Sequence, residues 1–279
     1  VLKMWQGLGY YSRARNLHCT AKDIVNNFGG EFPKDHNKIL KFKGIGVYTA
    51  AAITSFAFDM PYAVVDGNVI RVLSRVFGIS IPFDTSVGKK EFQQLAQELL
   101  IDKEAAIYNQ AIMEFGAIQC KPKSPNCSNC PMQDFCIAYT TNSVVELPVK
   151  SKKIKVKDRF LHYLFIEQKD NIFLGKRKSG IWTGLYEFPF LEFPIKMDEK
   201  QVMQSDEWLK IFLNSTCDVK SVSSEFIHIL SHQKIHAQFW HIKAASVVLK
   251  EYERISKNSL LEFPVSRLTE KYFETIELG

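Results

Sequence analysis

Four of the chain's six cysteines fall within residues 120–136, CKPKSPNCSNCPMQDFC, with the spacing Cys120-x6-Cys127-x2-Cys130-x5-Cys136. No other feature constrains the fold as tightly. Thiolates separated by short loops can converge on one point at little closure entropy, so this stretch is expected to enclose a metal centre. Pro122, Pro125 and Pro131 stiffen the loops between the ligands. Zinc and an iron–sulfur cluster both accept four thiolates, and the spacing alone does not choose between them. The opening VLKMWQGLGYYSRAR lacks the apolar core of a signal peptide. Clustered thiols in such a chain point to metal binding in a reduced compartment rather than to a disulfide scaffold.

The 279 residues suffice for one large domain or two ordinary ones, and 46% apolar residues supply a core. No run approaches the length of a membrane-spanning helix. The net charge of +6 is compatible with a polyanionic partner. Residues 1–139 carry helical periodicity. In ARNLHCTAKDIVNNF the expected apolar face is Leu17, Ala21, Ile24, Val25 and Phe28, stopped by Gly29-Gly30. HNKILKFKGIGVYTAAAITSFAF is expected to form helix, tight turn, helix. KEAAIYNQAIMEFGAI is expected to bury Ile107, Ala111, Ile112, Phe115 and Ile118. A basic run, Lys150, Lys152, Lys153, Lys155, Lys157 and Arg159, then reads equally as a solvated tether or as a DNA-facing segment. Beyond Phe160 strands dominate: a hairpin with Asp170-Asn171 in its turn, one helix over MDEKQVMQSDEWLKIFL, then two strands in EFIHILSH and KIHAQFWHIK. The expected division is residues 1–140, a basic linker at 141–158, and an α+β domain at 159–279.

Two stretches of the helical part carry chemistry. In FKGIGVYTAAA, Gly44 and Gly46 permit a tight turn, and the next helix presents free N–H groups near Val47 and Tyr48 to an anion such as a DNA phosphate. A plain helix–helix turn reads the same way. In VVDGNVIRVLSR, Asp66 precedes a helix with the apolar stripe Val69, Val72, Leu73 and Val76, so its first-order role is an N-cap.

The cysteine spacing resembles the iron–sulfur loop of the endonuclease III and MutY-type DNA glycosylases, and FKGIG resembles their helix–hairpin–helix. WQGLGYYSRARNLH, residues 5–18, closely resembles a signature of the MutY branch. RKSGIWTGLYEFP and ILSHQKIHAQFW resemble segments of that branch's C-terminal, MutT-like (Nudix) domain. The resemblance covers nearly the whole chain and is strongest over residues 5–136. It implies an all-α helix–hairpin–helix/[4Fe–4S] glycosylase domain, incomplete here, followed by an α+β Nudix-like domain. The implied cofactor is a [4Fe–4S] cluster on Cys120, Cys127, Cys130 and Cys136. The implied catalytic positions are Asp66, Asn68 and Tyr48. Tyr48 stands where the lyase-competent branch has a lysine, so no Schiff base can form there and a monofunctional enzyme is expected. DNA contacts are expected at Gly44, Gly46, Val47, Tyr10, Arg13, Lys121 and Lys123, with Tyr10 as a wedge beside the lesion. Leu230, Ser231 and His232 correspond to the loop that inspects the oxidised base, with Leu230 replacing the family's phenylalanine.

The implied activity is removal of adenine mispaired with 8-oxoguanine or guanine in double-stranded DNA, by a monomer in the cytoplasm and nucleoid of a bacterium, with no membrane partner. A general acid must protonate the departing adenine. The family's glutamate motif for this task, like S-E-x-M-L-Q-Q-T, does not occur in the chain. The start at Val1, as if inside a helix, gives the expectation of a fragment with little excision activity and exposed apolar surface. Competing readings are an endonuclease III-like glycosylase/lyase, a Nudix pyrophosphohydrolase and a non-catalytic lesion-DNA-binding fragment. The second lacks its R-E-x-x-E-E helix after Gly184.

Overall fold

The computed structural model describes residues 1–151, 156–213 and 215–276. Contacts divide the chain into two compact units, Cys19–Lys153 and Val1–His18 with Ile154–Gly279. This differs from the expected division at both ends. Residues 1–18 group with the C-terminal part. Residues 144–151, expected in a tether, pack on the helical unit. Leu147 is buried there, and its carbonyl accepts from Arg75 Nε at 3.1 Å. Phe83 N–H donates to Val149 O, and Ser151 donates from its amide and hydroxyl to Asp84. Lys152, Lys153 and Lys155 of the expected basic run lie outside the described residues.

Helix α1 (Tyr11–Phe28) ends where Gly29 and Gly30 take φ of +63° and +85°, as Gly-Gly allows. Its expected apolar face is largely solvent-exposed: Leu17 and Val25 are more than half accessible, and only Phe28 finds an aromatic partner, edge-on to Phe42. The short α2 (His36–Leu40) and α3 (Val47–Phe58) form the expected helix–turn–helix. Helix α4 (Gly67–Val76) buries Val69 and Leu73 in one core with Phe92 and Ala96 of α5 (Ser86–Glu98) and Ala105 of α6 (Ala105–Ile118), and its Val72 and Val76 are buried as well.

Helix α6 is rotated from the expected face. Ile107 and Ile118 are exposed, while Ala105, Asn109 and Gly116 are buried and Ile112 is half-buried. The cause is close helix packing. A Cβ on Gly116 would lie 2.7 Å from Asn68 Cβ and 2.9 Å from Asn68 O. Only the face with the smallest residue can approach α4 so closely, and that requirement overrides the apolar pattern. A short α7 (Ile137–Thr140) follows the cysteine loop. No described helix is long and apolar enough to cross a membrane.

The second unit is built on β1 (Lys157–Gln168) and β7 (Gln233–Ala244), parallel from Lys157↔Gln233 to Glu167↔Lys243. β2 (Asn171–Lys176) returns antiparallel after a turn at Lys169-Asp170, one residue earlier than expected; Lys169 takes the left-handed conformation there. β3 (Tyr186–Glu187), β4 (Phe190–Phe193), β5 (Cys217–Val222), β6 (Phe226–Ile229) and β8 (Glu253–Ser256) complete an eight-stranded sheet. Alternate residues of β1 serve opposite faces. Leu161, Tyr163 and Phe165 join one core with α10 (Arg267–Phe273), and Leu164 and Ile166 join the other. The single helix expected at 197–213 is broken in two. Ser205 leaves the helical path to cap α9 (Asp206–Phe212), so α8 (Glu199–Met203) stops before it.

His162 lies on the second face, and its Nδ1 accepts the Trp240 indole N–H at 3.1 Å. That bond requires a neutral imidazole, and burial lowers the His162 pKa to about 4. An unfolded histidine titrates near about 6.5. Between these values the unfolded chain binds a proton that the native one rejects. Stability of this unit is therefore expected to be full above about pH 6.5 and to fall as pH drops toward 4. All four tryptophans lie in this unit. Thermal unfolding followed by tryptophan fluorescence from pH 7 to 4.5 checks this, and His162→Asn is expected to flatten the acid limb.

Candidate active site and metal centre

The turn between α2 and α3 is closed by Ile45 N–H donating to Phe42 O, with Gly44 at φ +83°. Gly46 is the N-cap of α3 and supplies no side chain to cap it. Val47 and Tyr48 in the first turn are exposed. The first amides of α3 are thus left for an outside acceptor, which is the chemistry of a phosphate site.

Asp66 caps α4. Its Oδ1 accepts from the amides of Asn68 and Val69, both at 2.8 Å, and its Oδ2 accepts from Asn68 Nδ2 at 3.0 Å. The carboxylate is half-buried and held by three donors at a positive helix end. The strand-like approach to it, residues 59–66, belongs to no helix or sheet. Its backbone is served by side chains instead. Asn109 Oδ1 accepts from Val64 N–H, and Asn109 Nδ2 donates to Tyr62 O and to Ser55 Oγ on α3. Gln97 pairs with Pro61 O and Ala63 N–H, and Gln93 donates to Ala63 O.

Beneath the cap lie two nearly buried guanidinium groups. Arg71 Nε donates to Cys120 O at 2.7 Å, and its terminal nitrogens donate to Asn68 Oδ1 at 2.8 Å, Gly116 O at 2.6 Å and Gly67 O at 3.4 Å. Burial lowers the Arg71 pKa, and nearby Cys120 and Asp66 oppose that shift. Arg75 donates to Lys121 O, Pro122 O and Leu147 O, and one of its N–H groups lies 3.4 Å from Cys120 Sγ. Sequence reasoning missed Arg71, Arg75, Asn109, Gln93 and Gln97. The available signal was Arg71 and Arg75 four apart in a helix with a strong apolar stripe; the carboxamides gave none.

Cys120, Cys127, Cys130 and Cys136 line one cavity with Val76, Phe115 and Arg75. Burial raises the Cys127 pKa first, and the other three thiols raise it further, so all four sit within one another's field. Among the described residues, no group of His, Cys, Asp or Glu side chains is drawn together around a single ion. Four soft thiols around a shared apolar cavity, with a guanidinium to balance charge, suit a larger sulfur-ligated centre. Lys121 and Lys123 are exposed between the first two ligands.

In the other unit, Tyr10 takes φ +46° and is 76% exposed, with the Arg13 guanidinium 4.8 Å from its ring centre. Leu230, Ser231 and His232 form the β6–β7 turn. Leu230 packs against the sheet core, and Ser231 and His232 are exposed with Oγ and Nδ1 3.1 Å apart. Leu230 is thus an apolar anchor for the turn, and the two polar groups stay outward.

Residues 1–100 match the HhH-GPD superfamily of base excision DNA repair proteins, residues 120–136 the iron–sulfur binding domain of endonuclease III, and residues 162–275 the NUDIX domain. The iron–sulfur match spans the four thiols and supports a [4Fe–4S] cluster as the cofactor. Adenine DNA glycosylases are among the relatives. That of Buchnera aphidicola (Baizongia pistaciae) is 32% identical over 85% of this chain and 65% of its own length. The Arabidopsis thaliana protein is 37% identical over 83% and 40%, and the Mus musculus protein 44% identical over 87% and 56%. The chain thus spans less than two thirds of each of these relatives.

Arg71→Ala leaves Gly116 O and Cys120 O without their donor. It is expected to cost about 2–4 kcal/mol of stability, by urea unfolding, and to speed loss of the cluster's visible absorbance to a chelator. Arg71→Lys keeps the charge but not the fork, and is expected to fall between the two.

Proposed function

Because the chain belongs to the MutY-type adenine DNA glycosylase family, we propose that it acts in base excision repair by hydrolysing the N-glycosidic bond of adenine in double-stranded DNA. The adenine is paired with 8-oxoguanine or guanine. The observation that carries this reading is Asp66, a carboxylate fixed by three donors in the same unit as an uncapped helix–hairpin–helix.

The amides at Val47 and Tyr48 take a backbone phosphate without reading sequence, and exposed Lys121 and Lys123 add cations. The target nucleotide leaves the stack, because its sugar cannot be reached inside the duplex. As the bond to adenine breaks, its electron pair leaves with the base, which takes up one proton from solvent, and positive charge grows at C1′. Asp66 faces that charge and stabilises it; water then adds its oxygen at C1′ and loses one proton to solvent, leaving neutral adenine and the hydroxylated sugar. Asn68 holds Asp66 Oδ2, and Arg71 orients Asn68 through its Oδ1. Tyr48 has no amine, so no Schiff base forms at that position and the reaction stops at hydrolysis.

The cluster, when bound to Cys120, Cys127, Cys130 and Cys136, supplies a rigid node for the lysine-bearing loop and takes no part in bond cleavage. Ser231 and His232 offer a hydroxyl and an imidazole to the oxidised base or its backbone, and Tyr10 is the wedge beside it.

Asp66→Asn keeps the shape and most cap bonds but removes the charge. Single-turnover excision from a duplex with adenine opposite 8-oxoguanine is expected to fall by at least about 100-fold relative to the protein with Asp66, with duplex affinity retained. Unchanged excision would remove Asp66 from the mechanism. Borohydride is expected to trap no covalent DNA adduct; a trapped adduct would favour a glycosylase/lyase.

A further inference from the structure

Adjacent tyrosines have opposite fates at the start of α1. Tyr11 is 5% exposed and Tyr10 is 76% exposed. The segment before them, residues 1–9, contains no helix or strand, only turns. Such a segment has little stiffness of its own, yet a side chain that enters a base stack must be held against the force of unstacking. The stiffness comes from the α+β fold, on which this segment is docked.

Gln6 is gripped on both ends of its amide. Its Nε2 donates to Glu270 Oε1 at 3.2 Å, and its Oε1 accepts from Val265 N–H at 3.4 Å. The Tyr11 hydroxyl donates to Val265 O and accepts from Gly7 N–H, both at 3.4 Å. Lys3 Nζ donates to Leu261 O and Phe263 O, and Arg15 donates to Thr183 O at 2.5 Å. Leu2 fills the space that a side chain at Gly184 would need, its Cδ1 lying 3.1 Å from that position. The acceptors converge from the 180–186 loop, the 261–265 segment and α10. Arg267 in turn donates to Glu270 and holds its carboxyl below the usual range. Next to Thr183, Trp182 meets His228 edge-on at 5.4 Å, and β6 runs from His228 straight into the Leu230–His232 turn.

We propose that residues 1–11 and the α+β fold act as one lesion-reading head, in which Gln6, Tyr11 and Glu270 are positioning residues for Tyr10. The Nudix-like fold then sets where the wedge stands, as well as presenting Ser231 and His232. This rests on the proposed role of Tyr10 at DNA and adds the residues that make it effective.

Two measurements on the full chain test it. Hydrogen exchange without DNA reports the dock alone. Gln6→Ala and Glu270→Ala are expected to speed exchange of the amides of residues 3–9 by about fivefold for each hydrogen bond lost. Duplex titrations by fluorescence anisotropy report function, as the ratio of affinities for duplex with adenine opposite 8-oxoguanine and for undamaged duplex. That ratio is expected to fall by about fivefold in Gln6→Ala and Glu270→Ala, and to recover in Glu270→Gln, which keeps an oxygen for Gln6. Tyr10→Ala is expected to lower the ratio at least as far, and adding Gln6→Ala to it is expected to do nothing more. Exchange that stays slow in both dock variants overturns the dock. Faster exchange with an unchanged ratio, while Tyr10→Ala lowers it, overturns the coupling. A ratio unmoved by Tyr10→Ala itself defeats the wedge reading, and the coupling with it. Lys3→Ala, at an exposed position, serves as the dock variant if Glu270→Ala does not fold, with the same expectations.

Discussion

The helical unit depends on where one buried guanidinium puts its donors. Arg71 reaches Asn68 Oδ1 and Gly67 O at the start of its own helix, Gly116 O on α6 and Cys120 O at the head of the metal loop. An arginine is needed because its planar fork serves several acceptors at once while keeping its charge. Burying that charge costs free energy, which the four acceptors and the nearby Asp66 and Cys120 offset. The Asp66 cap, the α4–α6 contact and the backbone at Cys120 are therefore held by one side chain. The cysteine loop is thus tied to the Asp66 cap by hydrogen bonds that share the Arg71 guanidinium.

A second constraint follows from the turn that presents Asp66. Residues 59–66 must be irregular to swing from α3 into α4, so their backbone groups have no ladder partner. Left dry, each would cost of the order of 1–3 kcal/mol. Asn109, Gln93 and Gln97 supply the missing partners, Asn109 and Gln97 each serving both a backbone donor and a backbone acceptor. Asn109 also holds Ser55, so the hairpin helix and the approach to Asp66 share one anchor. In the α+β unit the analogous device is apolar: Leu230 roots the β6–β7 turn in the core while Ser231 and His232 stay outside.

Short-range features were legible in the sequence. Gly44, Gly46 and the Gly29-Gly30 stop depend only on backbone sterics, and Asp66 caps α4 through a contact two or three residues away. The stripe of α4 was legible because its neighbours cover it on the side its residues favour. The stripes of α1 and α6 misled. Leu17 and Val25 are exposed, and α6 turns Gly116 inward because α4 approaches too closely for a Cβ. The helix at 197–213 has good periodicity throughout, yet Ser205 caps α9 rather than continuing α8, a local competition that periodicity does not register.

The sequence by itself determined the metal loop, the open helix N-terminus, the cap carboxylate and the two-part composition, because each arises within a few residues and their chemistry is written in residue type. Only the tertiary structure decided which buried cations and carboxamides hold those parts together, and that residues 1–18 group with the C-terminal fold. The physical reason is sequence distance. Gln6 meets Glu270, and Arg71 meets Cys120, only after the chain has packed, and neither residue type announces a partner that lies so far along the chain.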